Sequence, residues 1–326
     1  MDGGRRGVVV TGADGFVGRA LRAHWVATGR PFRAAVRRRG SGAALPPGCV
    51  TVDDLALATD AQLDALVADA TAIVHLAGRA HVMRESATDP AAAYRAANVA
   101  TTAALARAAV RAGVGRFILA SSIKVNGEAS APGHPFGPAD VPAPADAYAA
   151  SKWEAERELA AIAAGTPLVP VALRLPLVYG PGVGANFLAL LDAVAGRRLL
   201  PLGAVRARRS LLFVGNLVTA VDAALDVVPA PAGVHCVADA PPVAVPDLVR
   251  ALAVALDVPA RLLPVPVSLL RLAGRLTGRE AAIERLTTAL EVDGSGFPRA
   301  TGWTPSATLK QGLAATARWW RSRHSL

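Results

Sequence analysis

Val8-Val9-Val10-Thr11-Gly12-Ala13-Asp14-Gly15-Phe16-Val17-Gly18 carries a short apolar strand into a glycine-spaced turn and then into a helical pattern. Glycines three apart at Gly12, Gly15 and Gly18 permit a tight turn and a close backbone approach. They also aim a helix N-terminus at whatever anion sits there. A dinucleotide pyrophosphate is the ligand such a turn accepts, so Gly12, Gly15, Phe16, Val17 and Gly18 are candidate cofactor contacts. In turns of this kind an acidic residue about 20 positions on, at the end of strand two, holds the adenosine ribose of NAD. Here strand two, Ala34-Ala35-Val36, ends in Arg37-Arg38-Arg39. Guanidinium groups at Arg37 and Arg38 can pair with a 2′-phosphate, which favours NADP over NAD. Asp54, followed by Leu55 after strand three, sits where an adenine amino group could be read; it could equally cap a helix.

Outward from this turn, apolar strands and helical patterns alternate as far as residue 175. Strands are expected at Gly7–Thr11, Phe32–Val36, Val50–Val52, Ala72–Leu76, Arg116–Ala120 and Val169–Arg174. Helices are expected near 16–28, 60–69, 89–112 and 146–164. This spacing predicts an α/β fold, a doubly wound parallel sheet of the Rossmann type, with its ligand crevice at the carboxyl ends of the strands. Leu76, Ala77 and Gly78 close strand four at that crevice. Beyond 175 the alternation breaks down and proline and glycine rise, with helices near 186–195, 215–227, 246–256 and 306–322. The expected organisation is a dinucleotide-binding domain over 1–175 and a smaller, partly interleaved C-terminal substrate region over 176–326. Within that region, 205–238 returns to the first domain. The Pro/Gly/Ala-rich stretch 127–144 reads as an exposed loop.

Composition narrows the class. The 326 residues carry a formal charge of +10, yet the arginines are scattered and form no basic block, so nucleic acid is not an expected partner. Cys49 and Cys236 have no metal-ligand neighbours and read as buried small hydrophobes in a reducing compartment. No metal site is expected. The apolar stretches fall short of membrane length, and the first strand follows Met1 closely, so the expectation is a cytoplasmic protein with no membrane partner.

Tyr148-Ala149-Ala150-Ser151-Lys152 places a phenol and an ammonium one helical turn apart. A cation near the phenol stabilises phenolate and brings a group with a pKa near 10 toward neutral-pH proton transfer. Ser121-Ser122 ends strand five just upstream. With the glycine turn, this pattern points to hydride chemistry on an alcohol or ketone.

TGADGFVG (11–18), HLAG (75–78), Asn98 in AANVATT, SSIKVNG (121–127), YAASK (148–152), LVYGPG (177–182), RSLLFVGNL (209–217) and the late Gly302-Trp303 with Pro305 together resemble an extended short-chain dehydrogenase/reductase. Within that class it resembles the NAD-dependent epimerase/dehydratase family over nearly the whole chain, and SSIKVNGE (121–128) resembles its UDP-glucose 4-epimerase-like subgroup, which includes reductases of UDP-4-keto sugars. That resemblance implies a UDP-sugar substrate and a nicotinamide cofactor. Tyr148 would act as acid/base, Lys152 would tune it, and Ser122 would bond the sugar oxygen, with Ser121 as the register-slip alternative. It implies Asn186, Phe187 and Arg209 near the nucleotide, with Arg285 a weaker candidate, and a homodimer built on helices near 89–112 and 146–164. Dehydratases of the family carry Asp-Glu after their catalytic Thr; Ile123-Lys124 stand there, so dehydration is not expected. Reduction of a 4-keto sugar is the favoured reaction, UDP-hexose 4-epimerisation the alternative, and a non-catalytic NADP-binding subunit the remote one. Leu177 stands where the family places a substrate Asn.

The remaining polar residues read as structural. His75 is expected to be packed and hydrogen-bonded, while His81 is a minor candidate substrate contact. Glu154, Glu156 and Glu158 read as a solvated helix face, and Trp319-Trp320 as packing anchors.

Overall fold

The computed structural model describes residues 7–37, 48–52, 54–80, 89–278 and 280–324. The first half contains β1 (Val8–Thr11), α1 (Phe16–Thr28), β2 (Phe32–Val36), β3 (Cys49–Thr51), α2 (Asp60–Val67), β4 (Ala72–His75) and α3 (Pro90–Tyr94). It continues through a π-helical turn (Arg95–Ala100), α4 (Thr101–Arg111), β5 (Arg116–Ser122), α5 (Ala147–Ala163) and β6 (Val169–Leu175). The second half contains β7 (Leu177–Tyr179), α6 (Ala185–Ala195), β8 (Arg208–Arg209), β9 (Leu211–Phe213), α7 (Val214–Asp226) and β10 (Gly233–Cys236). It ends with β11 (Val243–Ala244), α8 (Val245–Leu256), α9 (Val267–Leu276), α10 (Glu280–Thr287), α11 (Gly296–Thr301) and α12 (Leu309–His324).

Seven described strands form one parallel sheet in the order β10-β6-β5-β4-β1-β2-β3. The order reverses between β1 and β4, and the crevice at such a reversal is where an α/β sheet binds ligand. Side chains alternate across the sheet as strand geometry requires. Val8 and Val10 face a core with Leu21 and Trp25 of α1 and Leu217 and Val221 of α7. Val9 faces the other core, with Leu63 of α2, Leu105 of α4 and Leu159 of α5. Strands buried on both faces explain the unbroken Val/Ile/Leu runs. Glycine ends α1 cleanly: Gly29 is left-handed and its N–H bonds Trp25 O.

Two departures from the expected elements matter. The helix expected over 89–112 is interrupted at 95–100, where Thr101 and Thr102 hydroxyls donate to the carbonyls of Ala96 and Asn98 at 3.1 and 2.6 Å. Side-chain donors entering the backbone ladder are a recognised cause of such bulges. The sheet also has a strand the sequence pattern did not announce: β10 is short and half-exposed, and pairs with β6. After residue 205 the chain returns to the sheet through α7 and β10. Asp222 of α7 there accepts hydrogen bonds from His24 and Trp25 of α1, both at 2.7 Å.

A third core, from Tyr179, Phe187, Leu191, Leu248, Leu252 and Leu313, holds α6, α8 and α12 together beside the sheet. Trp319 and Trp320 pack on it, and the Trp320 indole donates to Asp192 at 2.7 Å. The 127–144 segment is less free than its composition suggests. Ser130 N–H bonds Ala289 O, Phe136 N–H bonds Glu291 O, and Ala143 N–H bonds Val125 O. No described helix is long and apolar enough to cross a membrane.

Candidate active site

Gly12 is left-handed, and a methyl group there would lie 2.4 Å from the Ala77 amide nitrogen. A methyl at Gly18 would lie 2.3 Å from Gly12 O. Gly15 is the N-cap of α1. The turn therefore leaves the first amides of α1, at Phe16 and Val17, facing the crevice beside Leu76–Gly78. Backbone packed this closely, at a helix N-terminus, fits a pyrophosphate.

The ribose end is more mixed than the arginine run implies. Asp14, inside the glycine turn, reaches the end of β2, where it accepts from the Arg37 amide at 3.1 Å. The Arg22 guanidinium lies 3.6 Å from the same carboxyl. An acidic side chain does stand at the end of strand two, supplied by the turn, with Arg22 and the exposed Arg37 around it. Arg38 lies outside the described residues, as does His81. Asp54 is exposed and closes its own turn by accepting from Ala56 N at 2.9 Å. The cap of α2 is Thr59, which forms a capping box with Gln62, so the capping role does not belong to Asp54. Leu55 packs partly into the core beneath.

At the end of β5 the two serines point opposite ways. Ser122 caps the following 3₁₀ turn by accepting from Lys124 N at 3.3 Å, and its hydroxyl is hydrogen-bonded to Tyr148. Ser121 donates to Glu156 on the other face. The structure thus brings Ser122, not Ser121, to the phenol. Tyr148 sits in the first turn of α5, whose N-cap Asp146 accepts from Ala149 N at 2.7 Å. Lys152, one turn on, is buried and donates to Ala120 O at 2.9 Å. Its ammonium lies 3.2 Å from where a Gly78 methyl would stand, at the edge of the cofactor crevice.

Burial shifts both groups. It lowers Lys152 to about 8, opposed by the charge of Glu156. It raises the Tyr148 phenol, opposed by the Ser122 hydrogen bond and by the charge of Lys124. Desolvation is the larger effect on the phenol, while Ser122 and Lys124 pull the other way, toward phenolate.

Sequence reasoning gave three neighbours no role in the site, Asn98 being only a family match. Asn98, buried in the π turn, accepts from Arg79 N at 2.7 Å and donates to Ser151 Oγ at 2.9 Å, fixing the loop after β4 against α5. Tyr94 meets Tyr148 edge-on with ring centroids 6.0 Å apart, and Arg79 lies over the Tyr94 ring. Glu156 is the clearest correction: it is 7% exposed and faces no solvent. Arg174 of β6 holds it through Nη2 at 2.7 Å and Nε at 3.1 Å, and donates to Asn126 Oδ1 at 3.1 Å. Glu154 instead pairs with Arg95 on the surface, and Glu158 is exposed. Of the cysteines, Cys236 is buried and Cys49 only half-buried. His75 is fully buried and bonded to Thr11 Oγ1 at 2.6 Å.

On the substrate side, Asn186 is exposed at the start of α6. Phe187 stacks on Tyr179 inside the third core, so its side chain is unavailable and only its backbone can face a ligand. Arg209 donates to the carbonyls of Arg285 and Thr288 at 2.6 and 3.0 Å, which brings Arg209 and Arg285 together. The Arg285 side chain bonds its own helix at Ala281 O. Leu177 is exposed on β7.

A dinucleotide crevice at a switch point, with Ser, Tyr and Lys at its edge, defines the class: an oxidoreductase-type short-chain dehydrogenase/reductase fold. Residues 8–235 match the model of the NAD dependent epimerase/dehydratase family. The chain belongs to that family and is an enzyme of it. A Vibrio cholerae protein named UDP-glucose 4-epimerase is 38% identical over 318 residues, covering 96% of this chain and 95% of its own. Among solved structures, MoeE5 in complex with UDP-glucuronic acid and NAD superimposes with a TM-score of 0.76 at 27% identity, covering 98% of this chain and 100% of its own. RMD from Pseudomonas aeruginosa, complexed with NADPH, shares the fold with a TM-score of 0.75 at 23% identity, over 98% of this chain and 99% of its own.

Proposed function

We propose that this enzyme is a UDP-sugar 4-epimerase that uses a nicotinamide dinucleotide held across the Gly12–Gly18 turn and the Leu76–Gly78 loop. The observation that carries it is Ser122 bonded to a buried Tyr148 with Lys152 one turn away, at the edge of a crevice whose close-packed glycine turn suits a dinucleotide. The near-full-length likeness to the Vibrio cholerae protein supports C4 as the reacting carbon. When bound, the nicotinamide supplies hydride uptake and return at that carbon. Ser122 orients the sugar oxygen. Tyr148 accepts the hydroxyl proton as the C4–H bond breaks, and returns it as the ketone is reduced on the other face. Lys152 holds positive charge beside the cofactor loop. Ile123 and Lys124 supply no carboxylate for removing water. Asn186, Arg209 and Arg285 are assigned to the nucleotide.

A second reading, reduction of a 4-keto sugar, draws on the upward push that burial gives the Tyr148 phenol, which suits a proton donor. It also draws on Arg22 and Arg37 near the ribose end, which suit NADPH. Asp14 at the same place suits NAD. Purified enzyme given NAD(P)⁺ or NAD(P)H with UDP-hexoses and their 4-keto derivatives separates the two. Interconversion of UDP-hexoses without net cofactor use supports epimerisation; stoichiometric oxidation of NADPH overturns it in favour of reduction. Tyr148→Phe should cost about 10²–10⁴-fold in turnover under either reading. The same reading places a homodimer on the outer faces of the π turn and α5, where Arg95, Val99, Arg157 and Ala161 line a groove. Equilibrium sedimentation at twice the chain mass is the expected result.

A further inference from the structure

Lys124 stands two residues past Ser122, in the turn that Ser122 itself caps. Its ammonium bonds Asp146 Oδ2 at 2.9 Å and Glu128 Oε1 at 2.6 Å, and its side chain is mostly shielded. Asp146 is the N-cap of α5, with its other oxygen on the Ala149 amide, two residues before Tyr148. One ammonium therefore joins the strand end that carries Ser122, the helix start that carries Tyr148, and the loop that begins at Glu128. The first two are the backbone pieces whose separation sets the Ser122–Tyr148 hydrogen bond.

We propose that Lys124 is a positioning residue of the catalytic site, clamping the Ser122 strand end to the Tyr148 helix start and lending its positive charge to the phenol. Among the described residues, groups that act on the phenol include Ser122 and Lys124 from the β5 end, Tyr94 from α3, and Asp146 at the start of its own helix. Lys124 and Ser122 favour phenolate; Asp146 and Tyr94 oppose it. Lys152 is committed to Ala120 O and Glu156 on the sheet side. Glu128, the second partner of Lys124, is also felt by Arg209, so the clamp borders the proposed nucleotide-binding residues.

The proposal rests on Tyr148 being the acid/base, but its test does not require turnover. The chain has three tyrosines, so the tyrosinate absorbance of the cofactor-loaded protein minus that of its Tyr148→Phe variant reports Tyr148 alone. Rapid pH jumps read it before alkaline unfolding. Lys124→Met should raise the Tyr148 midpoint by about one pH unit, and Lys124→Arg should leave it in place. Asp146→Asn, which keeps a competent N-cap, should lower it. Shifts of opposite sign are the signature that a loss of packing would not produce. An unchanged midpoint in Lys124→Met, or an upward shift in Asp146→Asn, overturns the proposal. Failure of the UDP-sugar assays with these titration shifts intact would instead indict the assigned reaction.

Discussion

Two charge clusters flank the end of β5, one behind Ser121 and one in front of Ser122. The rear cluster, Glu156–Arg174–Asn126 with Ser121, is sealed: the ion pair's side chains are 5% and 4% exposed. The front cluster, Lys124 with Asp146 and Glu128, has carboxylates about 40% exposed, at 42% and 40%. The residue types are similar and the strand end is shared, yet burial gives the clusters different work. In the rear, every polar atom must be matched, because a stranded charge away from water costs several kcal/mol. In front, the half-exposed carboxylates make the pairings worth little net stability, while the Lys124 ammonium itself is mostly shielded and keeps its charge beside Tyr148.

This contrast can be broken at several points. Glu156→Ala should strand Arg174 and destabilise the fold by about 3–5 kcal/mol. Chemical denaturation at pH 7 checks it, and a loss no larger than that of Lys124→Met would erase the distinction. The buried histidine offers a pH test of the same rule. His75 is held down to about 3 by burial, with the Lys152 charge adding to it. Its folded pKa lies below its unfolded value near 6.5, so stability is complete above pH 6.5. It falls by about 1.4 kcal/mol per unit as pH drops from there toward 3. Melting of His75→Asn across that range should show a flatter acid limb. Replacing the Asp146 cap with Ala should cost about 1 kcal/mol, measured by the same melts. Lys124→Met is expected to change stability least, by about 0–1 kcal/mol, while moving the Tyr148 titration.

The backbone of this protein was legible because its signals are local. Glycine spacing at 12–18, apolar runs in β1, β2, β4 and β5, and helical periods between them state the parallel sheet and locate its crevice. Tyr148 and Lys152 share a helix, so their spacing alone places them. What failed depended on partners far along the chain. Glu156 read as solvated because Arg174, its partner, lies on another strand. Asp14 read as part of a turn because only folding carries its carboxyl to the end of β2. That Phe187 can offer a ligand only its backbone was not legible either, because Tyr179 and the third core that holds its ring come together only when α6 packs. β10 escaped notice because a short, half-exposed strand has little pattern without the neighbour it pairs with.

The sequence by itself determined the sheet, the dinucleotide crevice and the Ser–Tyr–Lys order, since each rests on backbone geometry within about 20 residues. Tertiary structure decided which serine meets the phenol, which carboxylates are sealed and which stay wet, and which charges act on Tyr148. Those outcomes depend on desolvation and on charges brought together from different elements, which no local spacing encodes.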